Sequence, residues 1–302
     1  MNRATVSLLG ALVVGFAGGA SGHAWAEEPG HSPSVVDVVM DHITDSRVIE
    51  FQNPLGRGKF EFEFPEWKVQ VGNHTLDLTP TKHVFWMWVA CALLLLVVFA
   101  AMAGAKAGEV HTGLGNILET FVLFIRDEIA LPNMGEHAGE AYTPYLCTIF
   151  FFVLFCGLLG VLPFAATATG NIAVTATLAL LTFALTQVAG MRGQGVIGYW
   201  THLVPPGVPW WLYPIVLPVE LLGLVTKPFA LTVRLFANMI AGHLVILFLL
   251  GIIFIVGSAL VAPISVAFAL GIYLLELVVI LIQAYIFTLL SATFIGMAAH
   301  PH

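Results

Sequence analysis

Between Val84 and Gly104 the chain runs 21 residues without a charged side chain. Pro144 to Pro163 and Asn171 to Gly190 behave alike, and two longer stretches, Leu217 to Val256 and Pro263 to Ala298, are almost as apolar, with three charged residues in the first and one in the second. A bilayer core about 30 Å thick needs about 20 apolar residues per helix, and inside it every backbone polar group must be bonded internally. These runs therefore predict an all-α integral membrane protein with about five transmembrane helices. Composition agrees: of 302 residues 59% are hydrophobic and only 10% charged. The formal net charge of -7 argues against nucleic acid as a partner. Cys91, Cys147 and Cys156 all fall inside apolar runs, so they read as space-filling thiols on helix surfaces, not a disulfide framework.

Residues 1–26 carry the marks of a cleaved signal peptide: Arg3, the apolar stretch "VSLLGALVVGFAGGA", and "AWA" at Ala24 to Ala26. An anchor that stays in place is the other reading. Either way residues 27–82 begin on the outer side as a small extramembrane segment, and 83–302 form the membrane domain. Within the segment, "SVVDVVMDHI" suits a short amphipathic helix, "KFEFEF" alternates strictly, and "WKVQVGNHTLDL" reads as two strands about a Gly72-Asn73 turn. Trp86 and Trp88 belong to an interfacial belt at the outer end of the first span. Residues 105–142 are more polar, and "LGNILETFVLFIRDEIA" predicts an amphipathic helix along the cytoplasmic surface. Residues 191–216, rich in Gly, Pro and Trp, read as a loop. Five spans starting outside end inside. Lys106, Arg126, Arg192 and Lys227 then lie on the cytoplasmic side, as the positive-inside rule asks.

The last two stretches are too long for a perpendicular crossing. Forty residues make a helix of about 60 Å, so the final pair forms a long, steeply tilted antiparallel hairpin, a kink near Pro228, or a helix partly along the surface. From Phe229 to Val256 the only titratable residues are Arg234 and His243. A mid-membrane arginine costs from about 2.5–3.5 kcal/mol to more than 10. Glu220, Lys227 and Arg234 are spaced seven apart, which places them within about 40° on one helical stripe, continued by Asn238. His243, nine residues beyond Arg234, points almost the opposite way. On the final helix Glu276 and Gln283 share a face. Folding the pair about a turn near Ser258 to Leu260 sets Arg234 level with Gln283 and His243 level with Glu276. Two polar tiers result, about 13 Å apart.

A histidine beside a carboxylate can pass protons near neutral pH. Arginine keeps its proton, so Arg234 is a fixed charge awaiting a negative partner on another chain. Blander readings compete. Arg234 could snorkel to an interface, although its central position opposes that. His243 with Glu276 could be a structural hydrogen bond, Asn238 and Gln283 interhelical glue, and Glu220 and Lys227 ordinary interface residues.

"LTVRLFANMIAGH" and "LIQAYIFTLL" resemble the arginine segment and last-helix segment of subunit a of the F-type (rotary) ATP synthase, and the resemblance runs from about residue 34 to 302. It implies that Arg234 is the essential arginine facing the c-ring carboxylate. It implies that Asn238, His243, Glu276, Gln283 and, more remotely, Asn171 line an outer half-channel, and that Glu220 with nearby Lys227 marks a cytoplasmic one. In some members of that family the acid and the histidine stand on each other's helices. The implied partners are the c-ring, subunit b of the peripheral stalk and other subunits, in a bacterial inner membrane. No cofactor or metal is implied, and no phosphate-binding Gly-rich loop is present for ATP chemistry in this chain. The rival from another class is an ion-coupled secondary transporter, which should show paired halves; no internal repeat is visible. A membrane metalloprotease would need H-E-x-x-H, and none of the eleven histidines begins one.

Overall fold

The computed structural model describes residues 46, 48–52, 59–63, 68–71, 74–77, 79–103, 113–162, 165–201, 209–258 and 260–299. The expected signal peptide and the amphipathic helix over 34–43 lie outside the described residues. Two antiparallel hairpins come first: β1 (Val48–Gln52) with β2 (Lys59–Glu63), and β3 (Lys68–Val71) with β4 (His74–Asp77). The second is the hairpin expected about Gly72-Asn73, with Val71 opposite His74.

The rest is helical: α1 (Lys82–Ala103), α2 (Leu114–Phe124) running through a π-helical turn (Ile125–Ala130) into α3 (Leu131–Gly160), then α4 (Ile172–Gln194), the short α5 (Val196–Thr201), α6 (Tyr213–Val256) and α7 (Val261–Ala299). Among the described residues, five helical stretches are long and apolar enough to cross a membrane. On α1, Leu95, Leu96 and Phe99 are exposed, as a lipid-facing helix requires. At 44 residues, α6 is about 66 Å long.

Two boundaries differ from the sequence reading. The second span begins earlier than Pro144: α2, the π turn and α3 are continuous from Leu114, interrupted only by non-helical Gly135 (φ 72°). Pro144 sits inside α3. Proline is tolerated in membrane helices; beside it the Thr143 and Thr148 hydroxyls donate to the carbonyls of Gly139 and Pro144. Residues 191–216 are also less irregular than expected. Helix α4 continues to Gln194, Gly195 (φ 76°) breaks it, and α5 and a 3-10 turn (Trp210–Leu212) follow.

The chain falls into two compact units. The first comprises Met1–Ala90, Cys156–Asn171 and Ala237–Val279; the second comprises Cys91–Phe155, Ile172–Phe236 and Ile280–His302. The second holds a core of Ile125, Ile129, Met134, Leu146, Phe150, Leu235, Phe287 and Ile295, all essentially without exposure. Close approach there depends on missing side chains: a Cβ on Gly296 would lie 2.0 Å from the Asn133 carbonyl oxygen, and one on Gly193 2.6 Å from that of Ala299. Small residues do this work in membrane helices because lipid supplies no hydrophobic drive between helices.

Candidate functional site

The first unit assembles the histidine site. His243, on α6, brings Nδ1 to 3.0 Å from Glu276 Oε1 on α7. Glu276 is buried and His243 largely so. The sequence expectation that these two lie at one depth is met. Nδ1 also lies 3.1 Å from the Met239 carbonyl oxygen. Nε2 lies 2.9 Å from the carbonyl oxygen of Gly160 and 3.2 Å from Thr167 Oγ1. A neutral imidazole has one donor, and a cationic ring has two. Three oxygens that can only accept face the two nitrogens, so a protonated ring balanced by the Glu276 carboxylate satisfies the site best. The Glu276 oxygen lacks an aligned N–H, and its contact lies beside the bond to Met239.

Local sequence explains the close approach. A Cβ on Gly242 would meet Glu276 Oε1 at 2.9 Å and Cδ at 3.1 Å. On the other side of the ring, a Cβ on Gly160 would fall 2.3 Å from Thr167 Oγ1. Glycine at both places lets the carboxylate and the threonine reach the histidine. His83 at the start of α1 completes the neighbourhood: it is 4% exposed, and its Nδ1–H donates to the Thr167 carbonyl at 2.9 Å. Asn238 is half-buried on α6. Asn171 ends the 3-10 turn Ala168–Gly170, its backbone N–H bonded to the Ala168 carbonyl.

The second unit holds the other group. Glu220 and Lys227 line a cavity of about 170 Å³ together with Thr182, Thr186, Gln187, Gln194 and Tyr199. Lys227 Nζ lies 5.4 Å from the centre of the Phe294 ring, a cation–π distance. Both amide atoms of Gln187 are buried without an aligned hydrogen-bond partner among the described residues, as is Gln194 Oε1. Buried orphan polar atoms in a roomy polar cavity are where ordered water resides. Tyr199, beside Gln187, has its phenol pushed up by burial, an effect reduced by that amide.

Arg234, also in the second unit, does not line that cavity. It is exposed on α6, as is Ala230 one turn earlier on the same face. Its guanidinium has no ion pair and no hydrogen bond among the described residues, where the ion pairs are Arg126–Asp127 and His243–Glu276. Gln283 is buried on α7. Sequence reasoning missed His83, Thr167 and Gln187. His83 had a visible signal, being the last titratable residue before the first apolar run. Thr167 in "ATATG" and Gln187 in "LTQVAG" had none.

A family model described as ATP synthase A chain matches residues 84–296. The chain is 50% identical over 281 residues to ATP synthase subunit a of Myxococcus xanthus (strain DK1622), covering 85% of this chain and 92% of the relative. It is 51% identical over 304 aligned positions to ATP synthase subunit a of Anaeromyxobacter dehalogenans (strain 2CP-C), covering 97% and 78%. To ATP synthase subunit a of Chloroherpeton thalassium (strain ATCC 35110 / GB-78) it is 48% identical over 271 residues, covering 89% and 78%.

Proposed function

The chain belongs to the ATP synthase subunit a family, and from that membership we propose that it is the proton-conducting stator of a rotary ATP synthase, with two offset half-channels separated by Arg234. The observation that carries this reading is the lone guanidinium. A permanent cation on an apolar helix, exposed and without an ion pair among the described residues, is complementary to a carboxylate that a neighbouring helix brings to it. Exposed Ala230 leaves room for such a helix to come close. The implied neighbours are the carboxylate-bearing helices of the c-ring, held in place by subunit b and the rest of the complex in a bacterial inner membrane.

The mechanism follows from the cost of charge in lipid. A proton enters from the outer side through His243 and Glu276, with Asn238, Gln283 and Asn171 nearby, and neutralises a ring carboxylate. The neutral carboxyl can move into lipid, which an ionised one cannot do cheaply. After nearly a full turn it meets the water-filled cavity at Glu220 and Lys227 and releases its proton to the cytoplasm. Arg234 attracts the newly charged carboxylate and, because it cannot give up a proton, blocks a direct leak between the two paths. Each charge falling through 100 mV releases about 2.3 kcal/mol, so several must cross for each ATP made elsewhere in the complex.

The test is Arg234→Ala in inside-out membrane vesicles carrying the complete complex. ATP-driven acidification of the lumen should vanish while the complex remains assembled. Pumping at an unchanged rate would sink the proposal.

A further inference from the structure

We propose that α5 and the Trp210–Trp211 turn form a membrane-surface anchor, seated in the lipid headgroup layer of the leaflet where α4 ends and α6 begins. The inference does not depend on the proton path. From Gly193 to Val219 the chain runs 27 residues without Asp, Glu, Lys or Arg. Within that run Val196, Ile197, Trp200, Trp210, Trp211 and Tyr213 are all exposed, Ile197 to 81% and Trp210 to 83%. So dense a group of exposed large apolar side chains marks an interaction surface.

Two settings for this surface fail on physical grounds. Bulk water is unfavourable for apolar area of this extent with no charge to solvate it. The hydrocarbon core is excluded by the backbone. Gly195 (φ 76°) ends the run of α4, α5 has only six residues, and Trp210–Leu212 is a single 3-10 turn. The ends of such short pieces leave N–H and C=O groups unpaired, which lipid-exposed backbone at core depth cannot tolerate. The boundary layer meets both demands, because side chains reach acyl chains there while the backbone is wetted. Indole and phenol rings settle at that depth, with an apolar body inward and an N–H or O–H toward water.

The outward face of α5 is fixed by what holds its other side. Tyr199 is buried, and Gly190 of α4 makes room for it: a Cβ there would fall 2.4 Å from Tyr199 Cε2. With Tyr199 turned inward, Ile197 and Trp200 share the opposite side of the helix and are exposed. Arg192, exposed in the last turn of α4, supplies a cation for lipid phosphate. The surface also continues the exposed apolar side chains of the two spans it joins, Leu181 on α4 and Leu222 on α6. That continuity and the missing charge favour lipid over a protein partner.

The experiment places nitroxide labels in the complete complex, in vesicles of phosphatidylcholine and phosphatidylglycerol. Ile197→Cys and Trp210→Cys are labelled one at a time, with the native cysteines replaced by alanine and Leu181→Cys as the mid-span reference. Collisions with oxygen, which concentrates in lipid, should exceed those with a water-soluble nickel complex at both positions. The ratio should lie below that at 181 and report a depth of about 5–10 Å into the headgroup and acyl boundary. Dominant collisions with nickel would put the segment in water, and exclusion of both reagents would put it under a protein partner; either overturns the anchor, as does a ratio equal to that at 181. A second measurement needs no substitution. A phospholipid carrying a photoreactive diazirine near its headgroup should leave adducts on Ile197, Trp200, Trp210 or Trp211 of the unaltered complex. Adducts on other segments but none on these four overturn the proposal even if the cysteine variants fail to assemble. Neither measurement reads proton flow, so the stator reading stands or falls separately through Arg234→Ala.

Discussion

The His243 site and the Glu220 cavity use polar side chains in contrasting ways. At His243, protein atoms occupy nearly every donor and acceptor position: Glu276, Met239, Gly160 and Thr167 all lie within 3.2 Å of a ring nitrogen, and the adjoining cavity has room for one water. Around Glu220 and Lys227 the cavity is more than five times larger, about 170 Å³, and the Gln187 amide has no aligned hydrogen-bond partner among the described residues. In the proposed path the first arrangement would hand a proton between fixed groups, so geometry would limit it. The second would conduct through water, so no single wall residue would be decisive. Arg234 belongs to neither pattern, because its partner arrives from outside the chain.

That contrast orders the expected effects of substitution. Arg234→Ala removes the one charge without a substitute and should abolish pumping. Next comes Glu276→Ala. It removes the carboxylate that faces His243 Nδ1, and breaking a buried ion pair costs about 3–5 kcal/mol. Pumping should drop about 100-fold or more, in line with loss of a positioned acid–base group. Exchanging both partners, His243→Glu with Glu276→His, should recover part of the loss, since the contact is rebuilt with the roles reversed. A double variant no better than Glu276→Ala would mean that position, not pairing, matters.

A smaller effect separates geometry from chemistry. Gly242→Ala changes no titratable group, but its Cβ would lie 2.9 Å from Glu276 Oε1, so the carboxylate must move away from His243. The expected loss is about tenfold. Gly223→Ala on the same helix is the control, with nothing within 4 Å of the added carbon. Removing a helical glycine there should leave pumping unchanged and stabilise the helix by about 0.5–1 kcal/mol. Equal behaviour of the two alanine variants would show that the histidine site tolerates displacement.

Much of this arrangement was legible in the sequence. Helix period and an antiparallel turn were enough to set His243 level with Glu276, because both rules are rigid: 1.5 Å per residue and one side of a helix per 3.6 residues. The apolar runs likewise announced five crossings. Helix starts were less legible. Pro144 reads as a start signal, yet it sits inside the helix that follows the break at Gly135. Least legible were partners from distant segments. Thr167 sits in a charge-free loop whose role depends on where residues 83 and 243 are brought, and no local pattern encodes that. Gly160 and Gly242 look like ordinary membrane-helix glycines until the atoms they make room for are known.

The smallest effect is expected at Gln187, and it sharpens the contrast most. Gln187→Leu has similar volume and removes two buried polar atoms that have no aligned partner among the described residues. Deleting orphaned polar groups is close to neutral for stability, or favourable, so the complex should assemble as well as the wild type. The cavity would lose one polar wall but keep Thr182, Thr186, Tyr199 and Glu220, and water could still bridge them. Pumping should fall only about two- to threefold, a change of under 1 kcal/mol in barrier. Initial rates of vesicle acidification resolve such a difference. A loss as deep as that of Glu276→Ala would mean that the amide holds one obligatory water. Proton release at Glu220 would then depend on fixed geometry as strictly as the His243 site does.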